Sequence, residues 1–409
     1  MNNEPIPALV TLGPSSNSLG VVRTLGERGV TVVGLNLGDP GPARYCRRLK
    51  RLVQVVEHPD SAAFPSVICG IALELKRPVF IPTRDRDVIW LSKYRKALEP
   101  YLRFLIGNPE SVGAFTNKAR FARQALQANL PVPRTSAALQ GSALANEARK
   151  WEFPFLIKPV NSYDFSRRFF RKGWVVDSPA KLNEALETLA ATDETCILQE
   201  FIPAKQYFEA YVLRLPDGSA TLIGYERVRQ FPSTLGSATY CRVKPEPDAC
   251  SLAAKTLEAF DWHGIAAVEL IQDYRTEKWL ILEVNPRTTL QNRLAAACGY
   301  PLEFFLYSYL IGEKPVPPQG PPEPCCWVDE FRDLPARWAT RRGTRIPVRH
   351  PTRRCRTVHS LFSRSDPLPA IAAAWYEFRR FLAFAASAGK RHGTIEREGG
   401  HNPNKPPEN

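Results

Sequence analysis

The first hundred residues alternate short apolar runs with segments of helical periodicity. Leu9–Leu12 is an apolar run. Leu19, Val22 and Leu25 then recur at the spacing of one helix face, and Val30–Leu35 is a second apolar run. The small and hydroxyl-bearing residues before Leu19 are typical of the cap at the start of a helix. This order of strand, helix and strand predicts the opening of a parallel α/β sheet.

The same alternation continues to about residue 110. We predict strand, helix, strand and helix, in that order, at Leu52–Val56, Ala62–Leu75, Val79–Pro82 and Asp87–Ala97. Residues 1–110 are therefore predicted to form an open, Rossmann-like domain with a parallel sheet. A dinucleotide-dependent oxidoreductase is one alternative for such a domain. However, Gly13–Gly20 does not match G-x-G-x-x-G, and Asn36, not an acidic residue, follows the second strand.

Residues 111–313 show a different pattern of predicted elements. One helical stretch, Ser111–Asn129, is followed by many short β-rich runs. Pro216–Gly218 is a strong hairpin-turn signal. The region is predicted to be an α+β domain with antiparallel hairpins, and its further helices are predicted at Lys181–Ala190, Cys250–Phe260 and Pro301–Ile311.

A Pro-rich connector, residues 314–326, separates this region from a basic extension, residues 327–409. From Asp329 onward there are 16 Lys and Arg against eight Asp and Glu, so eight of the fourteen net positive charges lie there. We predict one helix, Pro369–Phe384, and disorder from Gly389. Because no aromatic interleaving or named motif accompanies the arginines, we expect no nucleic-acid partner. The tail could also make weak contact with an anionic membrane surface.

The nine cysteines are odd in number and irregular in spacing, and none forms a C-x-x-C pair. This pattern favours reduced thiols over a disulfide framework or a zinc site. The amino terminus has no basic region followed by an apolar stretch, and the sequence contains no run of about 18 apolar residues. We therefore expect a cytoplasmic protein.

The most informative positions are acidic residues inside apolar strands. Glu283 and Asn285 are two apart on one predicted strand, so their side chains project to the same face. Glu269 lies on the preceding strand, and a polar turn between the two strands would bring Glu269 opposite Glu283. Such an oxygen cluster suits Mg²⁺ (or Mn²⁺), which fills its other positions with phosphate oxygens and water. The alternative is that these carboxylates lie on the solvent-exposed face of a hairpin. The surrounding apolar residues argue against it, because burying a carboxylate without a partner costs free energy.

These strands resemble the signature of the ATP-grasp superfamily, an acidic residue on one strand and Glu-x-Asn-x-Arg on the next. Four other landmarks follow the family order: Asn117-Lys118, Phe155-Leu-Ile-Lys158-Pro159, Leu198-Gln199-Glu200-Phe201-Ile202-Pro203, and Glu209. The resemblance implies that ATP is held by Lys118 and Lys158 at its phosphates, by Glu200, Phe201 and Ile202 at adenine, and by Glu209 at the ribose. It also implies that the first domain is the pre-ATP-grasp domain and that the whole resemblance spans roughly residues 1 to 312.

Two segments, Lys158–Arg168 and Arg227–Gly236, are similar to a branch of predicted ATP-dependent carboligases related to biotin carboxylase and carbamoyl-phosphate synthase. The loop after Lys158 departs from the superfamily because it has no glycine before Gly173. Ser162, together with neighbouring hydroxyl and guanidinium groups, would then have to hold the phosphates. Arg229 and Arg287 are the predicted contacts of a substrate carboxylate or acyl phosphate, although a structural ion pair is an alternative for each.

The resemblance implies a ligase that joins a carboxylate to an amine through an acyl phosphate and releases ADP and phosphate. Lys158, Arg229 and Arg287 are its predicted catalytic residues, and Glu269, Glu283 and Asn285 its predicted metal ligands. A non-catalytic nucleotide-binding or regulatory protein on the same scaffold is the alternative. The expected partners are small-molecule carboxylate and amine substrates, with a homodimer expected only by analogy.

Overall fold

The computed structural model of the 409-residue chain describes residues 5–161, 165, 168–169, 171–318, 320–341, 355–376 and 378. The amino-terminal unit is a four-stranded parallel sheet in the order β3-β2-β1-β4. Its elements are, in chain order, β1 (Ala8–Thr11), α1 (Ser16–Gly26), β2 (Val32–Asn36), β3 (Leu49–Gln54), α2 (Phe64–Glu74), β4 (Val79–Ile81), α3 (Asp85–Lys93) and α4 (Arg95–Leu98). All residues of β1, β2 and β4 are buried, as expected for strands covered on both faces. The predicted parallel α/β unit is confirmed.

Helices and a small sheet follow the first unit. They comprise α5 (Pro109–Phe115), α6 (Lys118–Gln127), α7 (Gly141–Ala148), β5 (Phe155–Pro159), β6 (Trp174–Val176), α8 (Pro179–Ala190) and β7 (Cys196–Glu200). The three strands pair in the order β6-β5-β7, antiparallel throughout. Asn117 caps α6 by accepting a hydrogen bond from the Arg120 amide, which fixes the helix start at Lys118.

The largest element is a seven-stranded sheet in the order β12-β11-β8-β9-β10-β13-β14. Gly218, with φ of +85°, lies in the predicted turn between β8 and β9, where an L side chain would be strained. The elements are β8 (Ala204–Arg214), β9 (Ala220–Phe231), β10 (Ser237–Val243), α9 (Pro247–Ala259), β11 (Gly264–Asp273), β12 (Trp279–Asn285), α10 (Asn292–Ala297), α11 (Leu302–Ile311), β13 (Cys325–Val328), α12 (Glu330–Arg341) and β14 (Arg356–His359).

The carboxy-terminal extension is part of this sheet. The predicted connector boundary at residue 326 falls inside β13, which pairs with β10 and carries β14 as a parallel edge strand. Residues 368–376 form a helix, while the rest of the predicted helix to Phe384 falls largely outside the described residues, as does the stretch from Gly389. Among the residues described, no helix has the length and apolar character needed to cross a bilayer.

Two cysteines correct the expectation of reduced thiols. Cys326 on β13 and Cys355, just before β14, form a disulfide across 29 positions of sequence. The expectation failed because the two positions are distant in sequence and become neighbours only when β13 and β14 pair. Within the described part of the chain the other seven cysteines are free.

A buried ion pair ties the extension to the amino-terminal unit. Arg23 on α1 donates from Nε to Asp366 Oδ2 at 3.0 Å, and both side chains are almost fully buried. A second guanidinium nitrogen of Arg23 donates to the Leu361 carbonyl oxygen at 2.8 Å. Because a buried charge is costly without its partner, the extension beyond β14 is held firmly against α1.

One apolar core joins the amino-terminal unit to the large sheet. Val10 and Ile81 of the first sheet belong to the same buried cluster as Tyr211 and Ala267 of the large sheet. The carboxylate of Glu303 is buried in this region and accepts a hydrogen bond from the Tyr211 hydroxyl at 2.6 Å. Burial raises the pKa of Glu303 to about 7.

We predict a pH-dependent stability that Glu303→Gln removes. The pKa of this carboxyl is higher in the folded state than its ordinary value of 4.5, so its contribution to stability is present at low pH. That contribution is lost as pH rises through about 7. Between pH 4 and pH 8 the free energy of unfolding of wild type should therefore fall by roughly 3 kcal/mol relative to that of the variant. Urea denaturation at several pH values measures the difference. The exposed Glu313→Gln is the control, and equal pH profiles for wild type and Glu303→Gln would contradict the prediction.

Candidate functional site

A cavity of about 980 Å³ lies between the small sheet, the large sheet, α3 and α6. Most residues predicted to bind nucleotide or metal line it. They are Lys118, Lys158, Glu200, Phe201, Ile202, Glu209, Glu269, Glu283 and Asn285, and the predicted substrate contact Arg287 lines the cavity with them. Ser162, the remaining residue of the predicted nucleotide set, lies outside the described residues. Arg229 does not line the cavity.

The strand pairing of β11 and β12 brings the predicted metal ligands together. Glu269 is directly opposite Glu283, and Asn285 donates from Nδ2 to Glu269 Oε1 at 3.1 Å. Burial opposes the ionisation of Glu269, but Arg227 and Lys172 outweigh it and lower its pKa to about 2. Glu269 is therefore an anion at neutral pH.

The donor set fits Mg²⁺ with nucleotide phosphates. The described residues contain no cluster of three or more His, Cys, Asp or Glu that could hold a metal alone. Two carboxylates and an amide oxygen are nevertheless the hard oxygen ligands that Mg²⁺ takes when phosphates and water complete its shell. In their present arrangement the two carboxylates are balanced by Arg227, 2.6 Å from Glu269, and by Lys118, 3.8 Å from Glu283.

Two lysines face these carboxylates from other elements. Lys118 begins α6, and Lys158 extends from β5 and donates to Gln199 Oε1 at 2.8 Å. Burial lowers the pKa of Lys158 to about 8, although Glu283 acts in the opposite direction. A bound polyphosphate would favour the charged form of Lys158.

The segment Glu200–Ile202 forms the edge of the cavity where β7 ends and leads toward β8. Glu200 accepts a hydrogen bond from Arg275 Nη2 at 3.0 Å. The apolar Phe201 and Ile202 with an adjacent carboxylate are suited to a flat heterocycle that has an exocyclic amine.

Glu209 lies away from that edge. It is five residues into β8, about 16 Å along the strand from its start, and it pairs across strands with Glu269. It is buried and accepts hydrogen bonds from the Tyr225 hydroxyl at 3.1 Å and from Thr289 Oγ1 at 2.8 Å. Burial, with Glu269 second, raises the pKa of Glu209 to about 7. Glu209 therefore lies beside the predicted metal ligand Glu269. The resemblance to the superfamily had implied that it binds the ribose.

The two predicted substrate arginines differ in position. Arg287 lines the cavity and donates from Nε to Asp85 Oδ1 at 2.8 Å, a contact that reaches across to the amino-terminal unit. Arg229 instead makes two hydrogen bonds to Asp333 on α12, at 2.8 and 2.7 Å, and lies over the ring of Tyr240.

Arg229 is thus a structural residue, and its assignment as a substrate contact is corrected. Irregular pairing of β9 with β10, where two register shifts flank Tyr240, breaks the alternation of faces along β9. As a result Arg227 and Gln230, three residues apart, both line the cavity, while Arg229 between them faces α12.

Sequence reasoning missed four charged residues of the cavity. Arg227 lies in the same run that suggested Arg229, Lys172 ends the glycine-poor loop, and Asp85 and Arg86 begin α3. Of these residues, only Arg227 could have been found from the sequence, because it stands two residues before Arg229 on the same strand and either arginine could face the site. Asp85 comes from a different domain, and nothing local in the sequence connects it with Arg287.

Comparison with known proteins agrees with this geometry. A family model described as the ATP-grasp domain matches residues 123–289. The arginine-specific large chain of carbamoyl phosphate synthase from Lactiplantibacillus plantarum is 25% identical over 209 residues, which are 48% of this chain and 20% of that protein. The chain thus spans about a fifth of the length of the curated relative it matches.

Solved structures share the fold. Biotin carboxylase from Campylobacter jejuni superposes with a TM-score of 0.60 at 15% identity, over 78% of this chain and 74% of the other. An N5-carboxyaminoimidazole ribonucleotide synthetase in complex with ADP gives a TM-score of 0.63 at 17% identity, over 82% and 86%. Residues 123–289 therefore match the ATP-grasp domain and follow a parallel-sheet unit, so the predicted resemblance to that superfamily is confirmed.

Replacement of Arg229 tests its structural role. We expect Arg229→Ala to lower the free energy of unfolding by roughly 3–5 kcal/mol, because it leaves the buried Asp333 carboxylate with one cation fewer. Mg²⁺ with ATP should still raise the melting temperature of the variant. Urea denaturation and thermal melts with and without the nucleotide measure both quantities. A stable variant that no longer responds to nucleotide would restore Arg229 to the site.

Proposed function

We propose that this protein is an ATP-dependent ligase that joins a small-molecule carboxylate to an amine through an acyl phosphate. The observation that supports it best is the convergence of Lys118, Lys158, Glu269, Glu283 and Arg287 on one cavity in an ATP-grasp domain. Cations for a polyphosphate, oxygen ligands for Mg²⁺ and an arginine for a carboxylate are then within one site.

In the proposed complex, adenine lies against Glu200–Ile202 and the phosphates extend toward Lys118 and Lys158. Glu269, Glu283 and Asn285 would hold Mg²⁺, which when bound neutralises charge on the transferred phosphoryl group. Lys118 then exchanges its contact with Glu283 for a phosphate oxygen, since the metal compensates the carboxylate.

Arg287 orients the substrate carboxylate through its guanidinium fork. A carboxylate oxygen attacks the γ-phosphorus, the bond to the β-bridging oxygen breaks, and ADP leaves as an acyl phosphate forms. The amine nitrogen next attacks the acyl carbon. The carbon–oxygen bond to phosphate breaks, the nitrogen loses a proton, and an amide and inorganic phosphate are released.

Substrate identity stays open within this class. The matched relatives carry the names carbamoyl phosphate synthase, biotin carboxylase and carboxyaminoimidazole ribonucleotide synthetase, so bicarbonate belongs among the carboxylates to be tried. A homodimer is proposed by analogy only. Nothing in the described residues supports membrane contact, and most of the basic tail lies outside them.

The first experiment compares wild type with Glu283→Gln. Wild type should bind ATP in a Mg²⁺-dependent manner and release ADP with one pool of carboxylates and amines, bicarbonate included. Glu283→Gln should reduce ADP release by roughly 100-fold or more, because one carboxylate ligand of the metal becomes a neutral amide. Calorimetry and a coupled ADP assay measure the two effects.

Glu277→Gln is the matched control, since Glu277 lies in the turn of the same hairpin and is exposed. It should behave as wild type. Full ADP release by Glu283→Gln would refute the metal assignment, and ATP binding without ADP release in every pool would favour a non-catalytic nucleotide-binding protein.

A further inference from the structure

Residues 231–237 form one wall of the cavity; they are the last residue of β9, the turn that follows and the first residue of β10, and are called loop 231–237 below. Ser233, Thr234 and Leu235 all line it. The strands that carry the proposed metal ligands, β11 and β12, lie on one side of β8, whereas β9 and β10 lie on the other. With strands about 4.8 Å apart, the loop borders a part of the cavity distinct from the metal ligands.

The loop has a defined shape. Leu235 has φ of +54°, a conformation that costs a Leu side chain energy. At Gly236 a Cβ atom would lie 1.9 Å from the Pro232 carbonyl oxygen, so only glycine fits there. Gln230 donates from Nε2 to the Ser233 carbonyl oxygen at 2.7 Å. A shape that is locally unfavourable must be held by its surroundings.

Helix α12 from the carboxy-terminal extension provides that support. Arg332 donates from Nη2 to the Phe231 carbonyl oxygen at 3.0 Å, at the start of the loop. Asp333, which is 2% exposed, binds Arg229 through both oxygens and accepts a hydrogen bond from Thr239 Oγ1 at 3.0 Å. These contacts fix the ends of β9 and β10 on either side of the loop.

We propose that α12 is a positioning element of the active site, which through Arg332 and Asp333 holds loop 231–237 in the shape that selects the carboxylate or amine substrate. This inference rests on the proposed ligase function and names the part of the chain that sets its specificity. The loop presents two hydroxyls beside the apolar Leu235. It therefore fits a small molecule that has a hydrogen-bonding group next to a short aliphatic group.

Nucleotide binding is assigned elsewhere. The residues proposed to bind ATP come from α6, from the small sheet and from the segment that follows it: Lys118, Lys158 and Glu200–Ile202. Lys158 donates to Gln199, Glu200 accepts from Arg275 and Lys118 pairs with Glu283. These partners belong to the small sheet and to the hairpin of β11 and β12. Disturbing α12 should accordingly change the recognition of the second ligand and leave ATP recognition intact.

The test uses the full chain with Arg332→Ala, Asp333→Asn and the control Arg337→Ala. Arg337 also binds Asp333, but its side chain is 56% exposed and its hydrogen bond is to Asp333 Oδ2, not to residues 231–237. Hydrogen–deuterium exchange of residues 231–237 should become roughly tenfold faster in the first two variants and stay unchanged in the control. Because Asp333→Asn could impair folding, Arg332→Ala, which removes the hydrogen bond to the Phe231 carbonyl oxygen and leaves Asp333 in place, gives the independent reading.

Kinetics separate positioning from a general structural effect. For the substrate pair found with wild type, kcat/KM for the carboxylate or the amine should fall roughly 10–100-fold in Arg332→Ala, while the Kd of MgATP stays within about twofold. An equal loss of MgATP affinity, or an unchanged exchange rate of the loop, would overturn the proposal.

Leu235→Asn probes specificity directly. Asn tolerates positive φ and is of similar length, so the loop should keep its conformation while its apolar contact is replaced by an amide. We expect the ratio of kcat/KM between polar and aliphatic substrate analogues to rise roughly tenfold; an unchanged ratio would exclude the loop from selection.

Failure of the ligase function has a different signature. It would appear as no ADP release by wild type in any pool, whereas the exchange measurement needs no substrate. If wild type releases no ADP, unchanged hydrogen–deuterium exchange of residues 231–237 in Arg332→Ala and Asp333→Asn would still refute the positioning role of α12. Faster exchange would support that role for a second ligand of another kind.

Discussion

The pairing of β11 with β12 places two carboxylates opposite each other inside strands whose other residues are largely apolar. A shift of one residue in this register would turn Glu269 to the opposite face relative to Glu283 and disperse the oxygen cluster. The valines next to the carboxylates along each strand prevent that shift, because Val268 and Val284 would have to leave the core. Core packing therefore fixes the geometry of the charged cluster.

Buried carboxylates need cations beside them, and in this cavity the cations come from several elements. Arg227 comes from β9, Lys118 from α6 and Lys158 from β5, so each carboxylate faces a cation on another element. Without such partners the carboxylates would be protonated or would destabilise the fold. In the proposed complex these cations would bind phosphate oxygens once a metal compensates the carboxylates. The charges that stabilise the cavity are thus of the kind that a polyphosphate needs.

Local patterns were sufficient to predict much of this arrangement. The parallel unit, the hairpin at Gly218 and the facing of Glu269 and Glu283 all follow from spacing within short segments. The resemblance to the ATP-grasp superfamily singled out Lys118 and Lys158, and both line the cavity. Arg229 was assigned wrongly because a bulge, which depends on the partner strand, reversed its face. The Cys326–Cys355 disulfide and the edge strands β13 and β14 depend on pairing between distant segments, for which the sequence carries no local signal.

Long-range contacts connect the flanking parts of the chain to two arginines of this region. Asp85 reaches Arg287 from the amino-terminal unit, and Asp333 reaches Arg229 from the carboxy-terminal extension. Both anchors are carboxylates that neutralise an arginine at or beside the cavity, and both come from outside the region matched by the ATP-grasp family. Lys158 and the oxygen cluster belong to the matched region and Lys118 lies just before it, whereas the flanking parts hold the two arginines. The proposed function and the proposed role of α12 therefore divide nucleotide recognition and second-substrate recognition between different parts of one core.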